Sequence, residues 1–157
     1  ISGITLGWDE AAPYSSYDYH LHMEMIAFVH SVYPDVSVEL HAWELTGQIV
    51  AKKDLRFHIS DAINTGYASR IGHGVSIRGG KGLWKTLAIM REKDIPVEIL
   101  LTSNEKILNI SYPEHPVLVF LANDVPVYLC NWRSGCWMYE FNPGVCNIHN
   151  ESSGCDI

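Results

Sequence analysis

What this chain lacks narrows its function before any motif is read. None of its four cysteines precedes residue 130, and Cys130, Cys136, Cys146 and Cys155 form no C-x-x-C pair. That spacing argues against a zinc knuckle, and a disulfide framework would staple the whole domain rather than its end. The cysteines are therefore read as incidental. Basic residues are scarce: 11 Lys and Arg stand against 18 Asp and Glu, for a formal net charge of −7. That balance leaves no broad face for nucleic acid. No apolar run approaches the roughly 20 residues of a membrane span, so no membrane partner is expected. The opening ISGITLGWDE has neither the basic start nor the apolar stretch of a secretion signal, and it reads as the middle of a protein. Residues 1–129 without cysteine fit a reducing compartment, and the expected location is cytoplasmic.

What is present is an alternation of short apolar strands with longer helical stretches. Strands are expected at Ile1–Leu6, Val36–His41, Arg70–Gly74, Val97–Leu101 and Val125–Leu129. Helices are expected over Tyr17–Val32, Phe57–Thr65 and Leu83–Lys93, and from His115 to Ala122 with Pro116 in the first turn. In the first helix, Leu21, Met25, Phe28, Val29 and Val32 read as the buried stripe. On the second strand, Val36, Val38 and Leu40 share one face, with Ser37, Glu39 and His41 on the other.

Such alternation implies parallel strands with crossover helices, in either a doubly wound sheet or a (β/α)8 barrel. Polar residues gather where strands hand over to loops: Asp9 and Glu10, His41 and Glu44, His73, and Ser103 with Asn104. Several strand ends supplying polar groups is the arrangement of a barrel mouth. The doubly wound alternative expects a glycine-rich phosphate loop at the first turn, and none is present. A barrel needs about 250 residues. The expected fold is thus α/β, the C-terminal part of a (β/α)8 barrel over residues 1–129, incomplete, with an irregular tail over 130–157.

Taken alone, His41 followed by Glu44 is a weak signal. It strengthens at RIGHG, where Gly72 and Gly74 flank His73, so that the backbone can turn sharply and leave the imidazole unshielded. His20 and His22 in YHLH fall inside the first predicted helix. Positions two apart point in different directions there, so the pair reads as surface or packing rather than chelation.

LHAWEL, RIGHG and IPVEILLTSN, in this order and spacing, resemble the C-terminal half of the adenosine deaminase family, metal-dependent purine deaminases of the amidohydrolase superfamily. YHLHMEMIAFVHSVYP, HPV and DVPVYL add to the likeness. The resemblance implies a barrel holding one zinc ion, which removes the 6-amino group of adenosine or a related purine nucleoside to give inosine and ammonia. It implies that His41 is a zinc ligand, that Glu44 protonates purine N1, and that His73 orients and activates the metal-bound water. A metal lowers the pKa of its water to about 7, and a carboxylic acid with a raised pKa can meet charge developing on the ring.

Departures from the family pattern lower the expected activity. Trp8 and Trp43 occupy substrate-side positions where the family has glycine, and each brings a large ring to a close contact. The family's upstream H-x-H pair and its S-T-D-D stretch after the last strand have no counterpart here, so zinc binding is doubtful and little deamination is expected from this chain alone. The alternatives are a non-catalytic, growth-factor-like binding module or a deaminase of another aminopurine. The absence of a basic cluster for a phosphate favours a nucleoside over a nucleotide as the small-molecule partner. Open barrel edges predict self-association. Read one base later, codons compatible with residues 137–146 can spell the family's stretch after its aspartate pair, and those for residues 131–136 a partial match to the T-D-D-x-G-V stretch. The tail therefore reads as a frameshift product.

Overall fold

The computed structural model describes residues 3–7, 10, 12–42, 44–45, 56–111 and 114–130, with backbone alone for 131, 135–142 and 145–149. Five short strands lie side by side in chain order and pair in parallel: β1 (Gly3–Leu6), β2 (Ser37–Ala42), β3 (Arg70–His73), β4 (Val97–Ile99) and β5 (Val127–Asn131). Between them run α1 (Pro13–Tyr17), α2 (Tyr19–Val32), α3 (His58–Asn64), α4 (Leu83–Glu92), α5 (Leu101–Leu108) and α6 (Val117–Leu121), with a 3₁₀ turn at Val75–Gly79. A doubly wound sheet reverses its strand order at a switch point. Here the order never reverses, which makes the sheet an open arc of a (β/α)8 barrel.

Side-chain alternation explains which face of the arc is covered. Val38, Leu40 and Ala42 of β2, Ile71 of β3, Val97 and Ile99 of β4 and Val127 of β5 are all buried. They meet Met23, Ile59, Ala62, Ile63, Leu87, Met90, Val117 and Phe120 in one core. Each fully buried aliphatic side chain contributes about 1.5–3 kcal/mol of transfer free energy. The opposite face carries Glu39, His41, Gly72, Glu98 and Tyr128, the side that a barrel turns inward. Gly66, just past α3, marks how close this packing is. A Cβ there would meet Met23 Sδ at 2.6 Å, Leu40 Cδ1 at 2.8 Å and the Ala62 carbonyl at 2.9 Å.

Four expectations need correcting. The buried residues of α2 are Tyr19, Met23 and Ile26, whereas Leu21, Met25, Phe28 and Val32 are exposed at 54%, 59%, 71% and 53%. The helix is apolar on two stripes, and the sheet covers only one of them, so periodicity alone chose the wrong one. The fourth strand stops at Ile99, and Leu101 opens α5 instead of ending the strand. Ser103 and Asn104 therefore lie in a helix rather than a loop. In the tail, expected to be irregular, β6 (Gly135–Asn142) and β7 (Val145–His149) extend the sheet beyond β5 in antiparallel fashion. Cys130 is disulfide-bonded and so not incidental, and the β5–β6 register sets residue 136 opposite it. No helix among the described residues is long and apolar enough to cross a membrane.

Candidate active site

The site assembles where β2, β3 and β4 end, at the C-terminal mouth of the arc. His41 projects from β2, paired in register with Gly72 of β3. Two glycines make room for its ring. A Cβ on Gly7 would lie 3.0 Å from His41 Nε2, and one on Gly72 would lie 2.8 Å from its Cδ2. Burial lowers the His41 pKa from 6.5, partly opposed by the negative charge of Glu98. On the same inward face Arg70 pairs with Glu98 at 2.8 Å and lies over the Tyr128 ring at 5.1 Å, giving the site a charged floor.

His73 ends β3 with a φ of 64°, and Gly74 follows at 59°. A bulky residue held in the left-handed region costs about 1–3 kcal/mol and is retained where the surroundings over-determine it. The expectation that flanking glycines leave this imidazole unshielded fails, because His73 is only 5% exposed. The glycines serve other needs: Gly72 clears the His41 ring, and a Cβ on Gly74 would meet Phe120 and Val97, each at 3.0 Å. Burial, then the charges of His41 and His115, lowers the His73 pKa to about 3. The ring is therefore neutral at pH 7, and it stands edge-on to His41 with centroids 4.8 Å apart.

Glu44 lies just beyond β2, where its backbone N–H donates to Glu10 Oε2 at 2.9 Å. Its Oε1 accepts from Asn104 Nδ2 at 2.9 Å and Ser103 Oγ at 3.4 Å, and it sits 3.3 Å from His73 Nδ1. Burial raises the carboxyl pKa, and the Asn104 and Ser103 hydrogen bonds oppose the shift. A half-buried carboxyl pushed toward its neutral form beside a neutral imidazole is suited to general-acid chemistry.

The sequence reading set Glu44, His73 and Asn104 among the polar groups at the strand ends, without a role for Asn104, and missed His115. Asn104 is fully buried, as is His115, whose Nε2 lies 3.1 Å from Asn104 Oδ1. Asn104 was visible in LTSN and His115 only as a helix start, and nothing periodic links the two across α5. His20 and His22 lie on α2, away from this cluster. His20 is exposed and bonds Asp61 at 2.9 Å, and His22 lines an apolar groove of about 370 Å³ with Leu6, Tyr14, Met25 and Ile26. Trp8, Asp9 and Trp43 lie outside the described residues.

Among the described residues no three His, Cys, Asp or Glu side chains come together that could hold a metal ion. A catalytic zinc takes about three protein ligands and a water, so the donors described do not fit that ion on their own.

A strand-end cluster on an arc of parallel barrel defines a site of the (β/α)8 enzyme type. Residues 1–131 match the sequence profile of the family described as Adenosine deaminase, and the chain belongs to that family. Adenosine deaminases of Clostridium botulinum strains 657 and Hall are each 38% identical over 72 residues, 45% of this chain. The match spans 20% of the length of each of these relatives. The crystal structure of adenine deaminase from Arthrobacter aurescens superposes with a TM-score of 0.58 at 18% identity. That superposition covers 83% of this chain and 35% of the other, and it supports the barrel fold.

Proposed function

We propose that this chain is the C-terminal half of a purine nucleoside deaminase barrel, acting on adenosine or a close relative. Water adds to C6 as the Glu44 carboxyl gives its proton to N1. One proton of the water passes to the amino group, which the tetrahedral centre expels as ammonia, and the hydroxyl proton returns to Glu44, leaving inosine. His73, neutral and fixed, orients the attacking water. The observation that supports this best is Glu44 itself: a carboxyl with a raised pKa, at a barrel mouth, with one oxygen held by Asn104 and Ser103. His41 is the residue that would contribute to holding the one zinc ion expected of the family, whose chemistry is activation of water. The described donors do not suffice to hold that ion by themselves.

On this reading the chain alone is weakly active or inactive. Among the described residues no set of donors completes a zinc site around His41, and Trp8 and Trp43 stand in the sequence where the family has glycine. The same two tryptophans favour a second reading, a binding module that keeps the purine site without turnover. Residues 130–157 stand where the family has its S-T-D-D stretch after the final strand, as a divergent or frameshifted tail. The exposed stripe of α2 favours self-association. A cytoplasmic location rests on the cysteine-free first 129 residues, and the disulfide at Cys130 weighs against it.

The test is ammonia release from adenosine, adenine and adenosine monophosphate across a zinc series, with equilibrium binding of each compound measured in parallel. The expected result is nucleoside binding with release near the uncatalysed rate. Rapid release that Glu44→Gln abolishes would contradict the predicted inactivity and retain the chemistry. Failure to bind any purine would contradict both readings.

A further inference from the structure

Two buried residues, His115 and Asn104, are joined to Glu44 by an unbroken run of hydrogen bonds. The run begins at a backbone group whose donor role is not in question. The N–H of Val117 donates to His115 Nδ1 at 3.1 Å. That nitrogen must therefore carry its lone pair, and the proton of the neutral ring sits on Nε2. Nε2 lies 3.1 Å from Asn104 Oδ1, so the ring donates and the amide oxygen accepts. The orientation of the Asn104 carboxamide follows. Its NH₂ faces away from His115, toward Glu44 Oε1 at 2.9 Å and His73 Nδ1 at 3.2 Å.

The reverse orientation fails on donor counting. It would turn the amide N–H groups onto His115 Nε2, require the ring proton on Nδ1, and set that proton against the Val117 N–H. Helix α6 therefore dictates, through one ring, which end of Asn104 the site sees. Asn104 Nδ2 carries two hydrogens and has two acceptors within reach, so neither donor is wasted in a buried position.

We propose that His115 and Asn104 form a positioning relay that sets where Glu44 carries its proton. Oε1 accepts from Asn104 and Ser103, and these two donors occupy both of its lone pairs. When Glu44 is protonated the hydrogen is therefore on Oε2, and a single, fixed oxygen becomes the acid. Neither relay residue need touch the substrate. An acid fixed at one atom reacts without first rotating its carboxyl, which is the advantage of a held geometry over a free one. The role of Glu44 as acid rests on the function proposed above. The relay itself does not, and it can be measured without turnover.

The experiment is NMR on the 157-residue chain labelled with ¹³C and ¹⁵N. In the unaltered chain at neutral pH, long-range ¹H–¹⁵N correlations should show His115 protonated on Nε2 with Nδ1 bare. The Asn104 side-chain NH₂ should give two well-separated resonances protected from exchange. The Glu44 carboxyl, assigned through Glu44→Gln, is then titrated in the unaltered chain and in His115→Phe. That variant keeps a ring and touches neither Glu44 nor His73. Losing the lock on Asn104 weakens the donor to the ionised carboxylate, so the Glu44 midpoint should rise by about one pH unit. His115→Gln, which keeps a side-chain N–H for Asn104, should restore part of the shift.

A purely structural His115 would lower the melting temperature of His115→Phe and leave the Glu44 midpoint unchanged, which overturns the relay. So does finding His115 protonated on Nδ1 in the unaltered chain, a result that stands even if the variants do not fold. An intact relay in a chain that neither binds nor deaminates purines would count against the proposed function alone.

Discussion

At the scale of single residues, the site is set by what glycine permits and what burial forbids. Gly72 has no side chain because the His41 ring occupies that space, with its Cδ2 2.8 Å from where a Cβ would stand. Gly72→Ala should displace the His41 ring and destabilise the chain by about 1–3 kcal/mol, the usual range for overpacking. Urea midpoints and the His41 ring resonances check both. Glu44→Gln removes the acid proton while keeping the shape. In any form of the protein that turns over, it should lower kcat by about 10²–10⁴-fold with a smaller change in KM. His73 and Glu44 were legible in the sequence because RIGHG and HAWE carry them in short motifs. The reason for the glycines was not legible, since it depends on a neighbouring strand. The same holds for Asn104 and His115, whose link exists only once α5 has folded between them.

At the scale of elements, α2 and α3 are joined by contacts of opposite character. On the inside Gly66 lets Met23 and Leu40 close over the end of α3. Gly66→Ala brings a Cβ to 2.9 Å of the Ala62 carbonyl, which is backbone and cannot swing aside. It should cost about 1–3 kcal/mol, read as a lower urea midpoint with unchanged m. On the outside His20 of α2 bonds Asp61 of α3, and that carboxylate raises the imidazole pKa above 6.5. The raised pKa sets the sign: this contact contributes fully below pH 6.5 and is lost as pH rises through the folded-state value. Stability measured across that window should fall toward high pH, and Asp61→Asn should flatten the decline. If Asp61→Asn leaves it unchanged, the contact contributes nothing. Strand positions were readable from alternation, whereas the buried side of α2 was not. Leu21, Met25, Phe28 and Val32 keep helical spacing as well as Tyr19, Met23 and Ile26 do, and only the sheet decides between them.

At the scale of the whole molecule, acid should be the weak side. His58 and His73 have pKa values lowered to about 3 and His115 to about 4, each chiefly by burial. The unfolded chain takes up these protons near pH 6.5 and the folded chain does not, so stability is lost as pH falls from 6.5 toward those values. Three such groups give a slope of about 4 kcal/mol per pH unit near pH 5. Glu44 and Glu98, both with raised pKa values, offset part of it at the acid end. Urea midpoints between pH 7 and pH 5 should fall steeply, and His58→Leu should make the fall shallower. The exposed stripe of α2 should make the chain associate with rising concentration. Light scattering should show Phe28→Lys reducing that association with little loss of stability, because Phe28 is 71% exposed. The open arc was legible from strand count and strand-end chemistry. The hairpin beyond β5 was not, because the tail carries no clear alternation.

On the proposed function, Glu44 and His73 face a bound purine. Adenosine titrated onto the labelled chain tests it most directly, with the Glu44 carboxyl carbon and the His73 ring nitrogens as reporters and uridine as the control. Saturable shifts at both residues with adenosine, and none with uridine, are the predicted result. Shifts confined to other residues, or equal shifts with uridine, would contradict it.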